Sequence, residues 1–462
     1  MNAFEYAEAH YDDFIEELKA FLRIPSISTL TKTHSQHVQR TAEWVAEQLR
    51  VIGMTTVGIY KTPGHPIVVG SWLGASGAPT ILIYGHYDVQ PADRLEDPQW
   101  KTDPFDPVIK DGNIYARGAA DDKGQVLINL KAAQSLIEQY GGKLPFNIKF
   151  LVEGEEEVTS TTLDTFIASH KDLLRADVAV ISDTHMLSID QPSIVYGVRG
   201  IIYVELEVHG PAWDLHSGAY GGSVHNPLQA ISEIIAALHN PDGSVAVKGF
   251  YDKVIPLSAV EREALAKVPY PEAEWMAETG APRPWGEKGY TLRECIGGRP
   301  TLEINGIWGG WMGEGSKTVL PAKVTAKISC RLVPNQEPLE VEELLRAHIK
   351  SITPPTVTSE VRRLSYGDGA MMPIDSPAMR VAEEAYERGF GKRPVFLREG
   401  GSIPVAATIQ RMFGIPVVMA GYGLPDDSLH GPNEKFNLEC FRRGIITSIA
   451  LFEGLGKLKS QV

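Results

Sequence analysis

Histidines and carboxylates recur directly after the apolar runs of this sequence. His86 and Asp88 follow TILIYG, Asp121 and Asp122 follow GNIYARGAA, and Asp183 follows ADVAVIS. The stretch LVEGEEEVTS at 151–160 carries Glu153, Glu155, Glu156 and Glu157, and a loop with Asp426, Asp427 and His430 follows RMFGIPVVMAGYG. Any one acidic run by itself reads as a solvated loop. In open α/β sheets, however, ligands sit beyond the carboxyl ends of the strands, so these side chains are expected to meet. Carboxylates crowded together repel unless protons or cations neutralise them, and a pair of divalent metals does so. Imidazole with carboxylate suits zinc, manganese or cobalt, whereas all-oxygen cages for calcium or magnesium have no need of histidine. None of these strand ends supplies a serine or cysteine beside a base. Hydrolysis by a water activated between two metals is the chemistry that fits.

The elements that must position these groups alternate in character. Residues from about 40 to 190 pass through TILIYGHYD, GQVLINLKAAQSLIEQY, FNIKFLVEG and ADVAVISD, strand-like and helix-like by turns. That order predicts an α/β fold with a mostly parallel central sheet flanked by helices. After Arg199 the pattern changes. IIYVELEVHG, NPLQAISEIIAALHN, RPTLEINGIWGG, KVTAKISCRLVP, LEVEELLRAHIKSI and TVTSEVRRLSYG read β-α-β-β-α-β, a ferredoxin-like α+β arrangement with an insertion near 240–298. A second domain at 199–375 therefore interrupts a first one formed by 1–198 and 376–462. At the N-terminus, Phe14, Ile15, Leu18, Phe21 and Leu22 fall at helical spacing before Pro25.

The totals exclude several classes. The chain has 462 residues, enough for two domains, and 44 basic against 58 acidic residues leave a net charge of −14. Such acidity argues against nucleic acid or an anionic membrane as a partner. Cys295, Cys330 and Cys440 are far apart in sequence, which indicates neither a disulfide framework nor a thiolate zinc site. Acidic residues stand where a signal peptide needs basic ones, and no apolar stretch approaches bilayer length, so a cytoplasmic location is expected. Two glycine-rich stretches are rejected as nucleotide sites. In GEGSKT (313–318) Ser316 precedes Lys317 where a phosphate loop needs glycine, and GAYGGS (218–223) lacks the strand and helix flanks of a dinucleotide site.

A set of motifs carries a resemblance. GHYDVQP (85–91), ARGAADDKG (116–124), EGEEE (153–157), SD (182–183), DLHSG (214–218), EGGSIP (399–404) and LHGPNEK (429–435) resemble the dinuclear zinc metallopeptidase superfamily. That superfamily contains carnosinases, cytosolic non-specific dipeptidase, aminoacylase, acetylornithine deacetylase and succinyl-diaminopimelate desuccinylase. The likeness spans essentially the whole chain. GHYDVQP, DLHSGAYGGSVH and RLVPN bring it nearest to the carnosinase and non-specific dipeptidase branch.

The resemblance implies two divalent metal ions per subunit, zinc first, with manganese or cobalt as alternatives. It implies that Asp121 bridges them, with His86 and Asp183 completing one site and Glu157 and His430 the other. Asp88 is implied to orient the His86 imidazole, and Glu156 to be the general base that moves a proton from the attacking water to the leaving amine. Glu153 and Glu155 are left as structural or solvated. A cis peptide between Asp121 and Asp122 is also implied. In the inserted domain the resemblance gives His216 an oxyanion-stabilising role, often from the partner subunit's lid, which implies a homodimer through that domain. It gives Arg331 the role of clamping a substrate carboxylate, with Thr318, Gly401 and Ser402 lining the same pocket. The branch usually has Ser-Gly-Ser after the glutamate pair, and here Val158, Thr159 and Ser160 stand instead; its histidine-bearing loop near 365–373 is also absent. The expected activity is hydrolysis of dipeptides or short peptides with a free carboxylate. An N-acyl-amino-acid deacylase sharing every metal ligand is the alternative, and a catalytically silent binding protein on the same scaffold is a third reading.

Overall fold

The structure, a computed structural model, describes residues 1–93, 97–160, 162–268, 270–401 and 403–459. It divides into two compact units, Met1–Tyr196 with Met372–Phe396 and Thr408–Val462, and Gly197–Met371 with Leu397–Ala407.

In the first unit the N-terminal periodicity forms the helix Tyr11–Leu22, which buries Phe14, Ile15, Leu18, Phe21 and Leu22. A separate short helix, Ala3–Ala9, precedes it and is closed by a capping box between Asn2 and Glu5. The central sheet runs in the order Thr56–Tyr60, Ile67–Trp72, Asn147–Glu153, Thr80–His86, Val178–Ile181, Val417–Met419, Ser193–Val198. It is mixed. Parallel pairing joins the four strands from Asn147–Glu153 to Val417–Met419, and antiparallel pairs lie outside them. The parallel strands are buried almost end to end, as expected where helices cover a parallel sheet. Helix Lys123–Gln139 packs on strand Thr80–His86 and on helix Leu438–Leu455, and helix Thr31–Val51 packs on Ile67–Trp72.

One expected strand end is different in kind. GNIYARGAA contains only the short strand Asn113–Tyr115, which lies in a separate three-stranded sheet with Val108–Lys110 and Lys435–Asn437. Asp121 therefore comes from a loop that turns at Gly118 (φ +84°) and enters helix Lys123–Gln139, with Asp122 at the N-cap position.

The second unit holds the four-stranded antiparallel sheet Thr301–Gly309, Lys323–Leu332, Gly200–His209, Thr358–Gly367. With helices Pro227–Ala236 and Pro338–Ile352 placed between strands in sequence, this is the ferredoxin-like order that the β-α-β-β-α-β pattern predicts. Alternation sets the faces. Ile202, Val204, Leu206 and Val208 join Ala326, Ile328 and Cys330 in one core with Ile231, Ile234, Leu345 and Ile349 of the helices. The insertion carries helices Ala259–Ala266 and Glu272–Thr279 and a π-helical turn, Glu294–Gly298. This unit also takes in Leu397–Ala407, which the sequence division put with 376–462. The tie is polar, since Arg199 donates through its backbone N to Gly401 O at 3.0 Å and through Nε to Gly400 O at 3.1 Å. Arg398 pairs with Glu261 of the insertion.

Candidate metal centre

The parallel strands end in register, so their following residues arrive together. His86 is opposite Glu153, and Tyr84 is opposite Ile181, two residues before Asp183. Gly85 makes room for what lies beneath: a Cβ there would stand 2.5 Å from Val126 and 2.8 Å from Asp122 Oδ2. The Asp122 carboxylate accepts from the His86 backbone N at 3.1 Å. The Asp121–Asp122 peptide is cis.

Five sequence-selected residues fall into two triads that share one member. His86, Asp121 and Asp183 offer ligand atoms within 4.8 Å of one another, and so do Asp121, Glu157 and His430. Asp121 faces both ways. Its Oδ1 is 3.1 Å from His86 Nε2 and its Oδ2 is 3.0 Å from His430 Nε2. His430 Nε2 is also 3.3 Å from Glu157 Oε2, and His86 Nε2 is 3.9 Å from Asp183 Oδ1.

Asp88 holds more than the imidazole. His86 Nδ1 lies 3.4 Å from Asp88 Oδ1 and 3.1 Å from the Asp88 carbonyl, which leaves Nε2 pointing into the cluster. The same carboxylate accepts the backbone N–H groups of Glu156 at 3.2 Å and Glu157 at 3.1 Å. One buried aspartate thus sets both a histidine and the short 3₁₀ turn Glu156–Val158 that carries the glutamate pair.

Glu153 is structural and not solvated. It is buried, accepts from Tyr84 Oη at 2.6 Å and Ser160 Oγ at 2.9 Å, and burial pushes its carboxyl up to about 8. Glu155 is buried as well and accepts from Thr162. Asp426 and Asp427 pair with Lys435, at 3.1 and 3.0 Å, and take no part in the triads.

The charges of the cluster bear on what it could hold. Burial alone lowers His86, yet the Asp121 and Asp88 carboxylates hold it well above the usual imidazole value. Hydrogen bonds to Asp121 and Glu157 raise His430 to about 10. Burial raises Asp183 well above the carboxylate range, with Asp122 and Asp121 adding to it against the opposing pull of His86. Glu156 rises to about 7 through burial and the nearby Glu157, Asp121 and Asp88, against the opposing pull of His86. Such a group of acids takes up protons for want of positive charge, and divalent cations on the same oxygen and imidazole donors answer that need.

Several positioning residues lie inside the motifs but have no signature of their own. Glu434 is fully buried and accepts from Arg117 Nη1 at 2.8 Å and from the backbone N–H groups of Gly118, Ala120 and Asp121 at 2.9, 3.0 and 3.2 Å. Gln90 donates to Glu157 Oε2 at 2.7 Å. Both sit in quoted motifs, LHGPNEK and GHYDVQP, but which groups they meet depends on loops that sequence spacing does not resolve.

The second unit holds the other selected residues. His216 is exposed and caps the short helix Ser217–Tyr220, its Nδ1 accepting from Gly218 N at 3.0 Å. The proton is thereby assigned to Nε2. The Thr318 carbonyl accepts from Ser217 N at 3.0 Å, which puts Thr318 beside His216. Arg331 is half-buried and lines a cavity of about 460 Å³ with Arg199, Trp275, Trp285, Glu287 and Arg299. Neither Thr318 nor Gly401 lines that cavity, although the Gly401 carbonyl accepts from Arg199. Ser402 lies outside the described residues. His225 is engaged with Thr356 Oγ1 at 2.7 Å and Glu233 at 3.7 Å.

The profile described as "Peptidase family M20/M25/M40" matches residues 82–453, which takes in every residue of both triads. The chain belongs to this family. It is a metallopeptidase sequence along nearly its whole length: it is 34% identical to the Cys-Gly metallodipeptidase dug1 of Schizosaccharomyces pombe over 96% of this chain and 95% of that one. It is 32% identical to the human Beta-Ala-His dipeptidase over 98% and 92%. Among solved structures, the M20 family metallo-carboxypeptidase Sso-CP2 of Sulfolobus solfataricus superposes with a TM-score of 0.85 at 31% identity, covering 96% of this chain and 99% of that one. M20 metallopeptidases use divalent metal ions, and the two triads are among the groups of side chains that could hold a metal ion.

Proposed function

We propose that this protein hydrolyses the peptide bond of dipeptides or short peptides bearing a free C-terminal carboxylate. The observation that carries the proposal is the Asp121 carboxylate shared between His86 at 3.1 Å and His430 at 3.0 Å, one oxygen for each triad. Two divalent ions, zinc or alternatively manganese or cobalt, would be held by His86, Asp121 and Asp183 and by Asp121, Glu157 and His430, and when bound would polarise the scissile carbonyl and acidify water. Glu156 takes the proton of the attacking water and returns it to the departing amine. Its position next to Glu157 lets one turn supply both a ligand and a base, because Asp88 fixes the two successive N–H groups.

Within the second unit, His216 is the proposed oxyanion donor, and its local bonding supports this, since Nδ1 is engaged and Nε2–H is left to donate. Arg331 is the proposed carboxylate clamp, a planar fork lining a cavity. A homodimer through this unit is supported by strand Thr301–Gly309, which among the described residues pairs on one side alone and exposes Ile307 and Trp308. A cytoplasmic location fits a chain in which, among the described residues, no helix is long and apolar enough to cross a membrane.

His216→Ala is expected to lower kcat by about 10²- to 10³-fold with metal content unchanged. Pairing this variant with Glu156→Gln in mixed dimers tests its subunit of action. A dimer that regains turnover places His216 across the interface, and a silent dimer places it within its own subunit.

Substrate class is tested by profiling a dipeptide library beside N-acyl amino acids. Turnover concentrated on dipeptides, and lost when the C-terminal carboxylate is amidated, supports the proposal. Preference for N-acyl amino acids replaces it with the deacylase reading, and no turnover of either favours a silent binding protein.

A further inference from the structure

Arg117 is buried, four residues before Asp121, against the loop that carries His430 and against Pro91. Its Nη1 donates to Glu434 Oε2 at 2.8 Å, and Nη2 reaches the carbonyls of His430 at 3.2 Å, Gly431 at 3.1 Å and Pro91 at 3.5 Å. Each contact leads to a different member. Glu434 receives the backbone N–H of Asp121 together with those of Gly118 and Ala120. The His430 carbonyl belongs to the second member itself. Pro91 follows Gln90, whose amide donates to Glu157 Oε2 at 2.7 Å. The guanidinium carbon lies over the Trp100 ring, 5.4 Å from its centroid. Among the described residues, the two members that belong to the other triad alone have no such tie: His86 is set by Asp88 and Asp122, Asp183 follows its own strand, and Arg117 reaches that triad only through the shared Asp121.

We infer that the buried Arg117–Glu434 pair is a positioning device specific to the Asp121–Glu157–His430 site, so that the two metal sites of this enzyme are held by separate supports and are lost separately. A planar fork spanning an ion pair and several carbonyls is a geometry that Lys does not reproduce, since an ammonium offers a single point of charge. Outer partners of metal ligands typically govern affinity by about 10- to 100-fold, and here one pair serves three ligands at once.

The inference rests on the two-metal reading above, and the test separates the two. Zinc and cobalt binding are measured by metal stoichiometry and Co²⁺ absorption in the full-length protein, with the melting of the metal-free protein as a fold check. Asp183→Asn isolates the Asp121–Glu157–His430 site, and Glu157→Gln isolates the other. Adding Arg117→Lys to the first background is expected to weaken binding by about 10- to 100-fold, and adding it to the second to leave binding within about twofold. Glu434→Gln is expected to repeat the pattern. Equal weakening in both backgrounds, no weakening in either, or failure of both Arg117→Lys and Glu434→Gln to fold would overturn the inference in favour of a purely structural pair. A parent protein that binds no divalent ion would instead overturn the two-metal reading.

Discussion

Glu156→Gln is expected to lower kcat by about 10²- to 10⁴-fold while both divalent ions stay bound. The substitution nearly keeps shape and volume and removes the carboxylate's charge and its ability to take a proton. Glu156 belongs to neither triad, and the loop position of both glutamates is set by backbone N–H groups donated to Asp88, which the change leaves in place. Burial and the neighbouring carboxylates raise Glu156 to about 7, and cation charge held beside it would lower that value, which favours the proton-accepting form at neutral pH. The check is paired: metal content and turnover on the same preparation. Turnover within tenfold of the parent would remove Glu156 as the base, and loss of metal would recast it as a ligand.

The five residues of the two triads could be picked out because each follows an apolar run, and four of the five follow strands that the sheet places side by side. His86, Glu157 and Asp183 follow three adjacent parallel strands, so strand order alone brings them together. His430 is less direct. It lies well beyond strand Val417–Met419, in a left-handed backbone conformation at φ 61°, and its place depends on the loop that Arg117 and Glu434 gather. Asp121 was found for a reason the structure does not share, since the run before it is no strand of the central sheet but a loop entering a helix. What the sequence did not disclose is the layer behind the two triads. The roles of Glu434 and Asp122 consist of bonds to backbone groups distant in sequence, and that of Gln90 is a side-chain bond to Glu157; letter patterns carry no record of which distant group a side chain meets. The ferredoxin-like unit was legible for the opposite reason: its alternation is local, strand by strand, and the β-α-β-β-α-β order admits few arrangements.

Asp121→Ala is expected to empty both sites together, which no other single ligand change does. Each remaining ligand serves one triad, so His86→Ala or His430→Ala removes one partner from one site, whereas Asp121 contributes an oxygen to each. Loss of an outer partner costs about 10- to 100-fold in metal affinity, so loss of a shared ligand should exceed about 100-fold at both sites. The fold should persist, because Glu434 grips the backbone N–H at residue 121 and not its side chain. Chelation of the parent supplies the matching control. It should silence hydrolysis, and zinc, manganese or cobalt should restore it, whereas the same additions should leave Asp121→Ala inactive. Hydrolysis that survives chelation would defeat the metal mechanism outright. A variant that keeps one tight ion would show that the triads do not depend on a common carboxylate, and the assignment of Asp121 as the bridge would fail even if the remaining ligands stood.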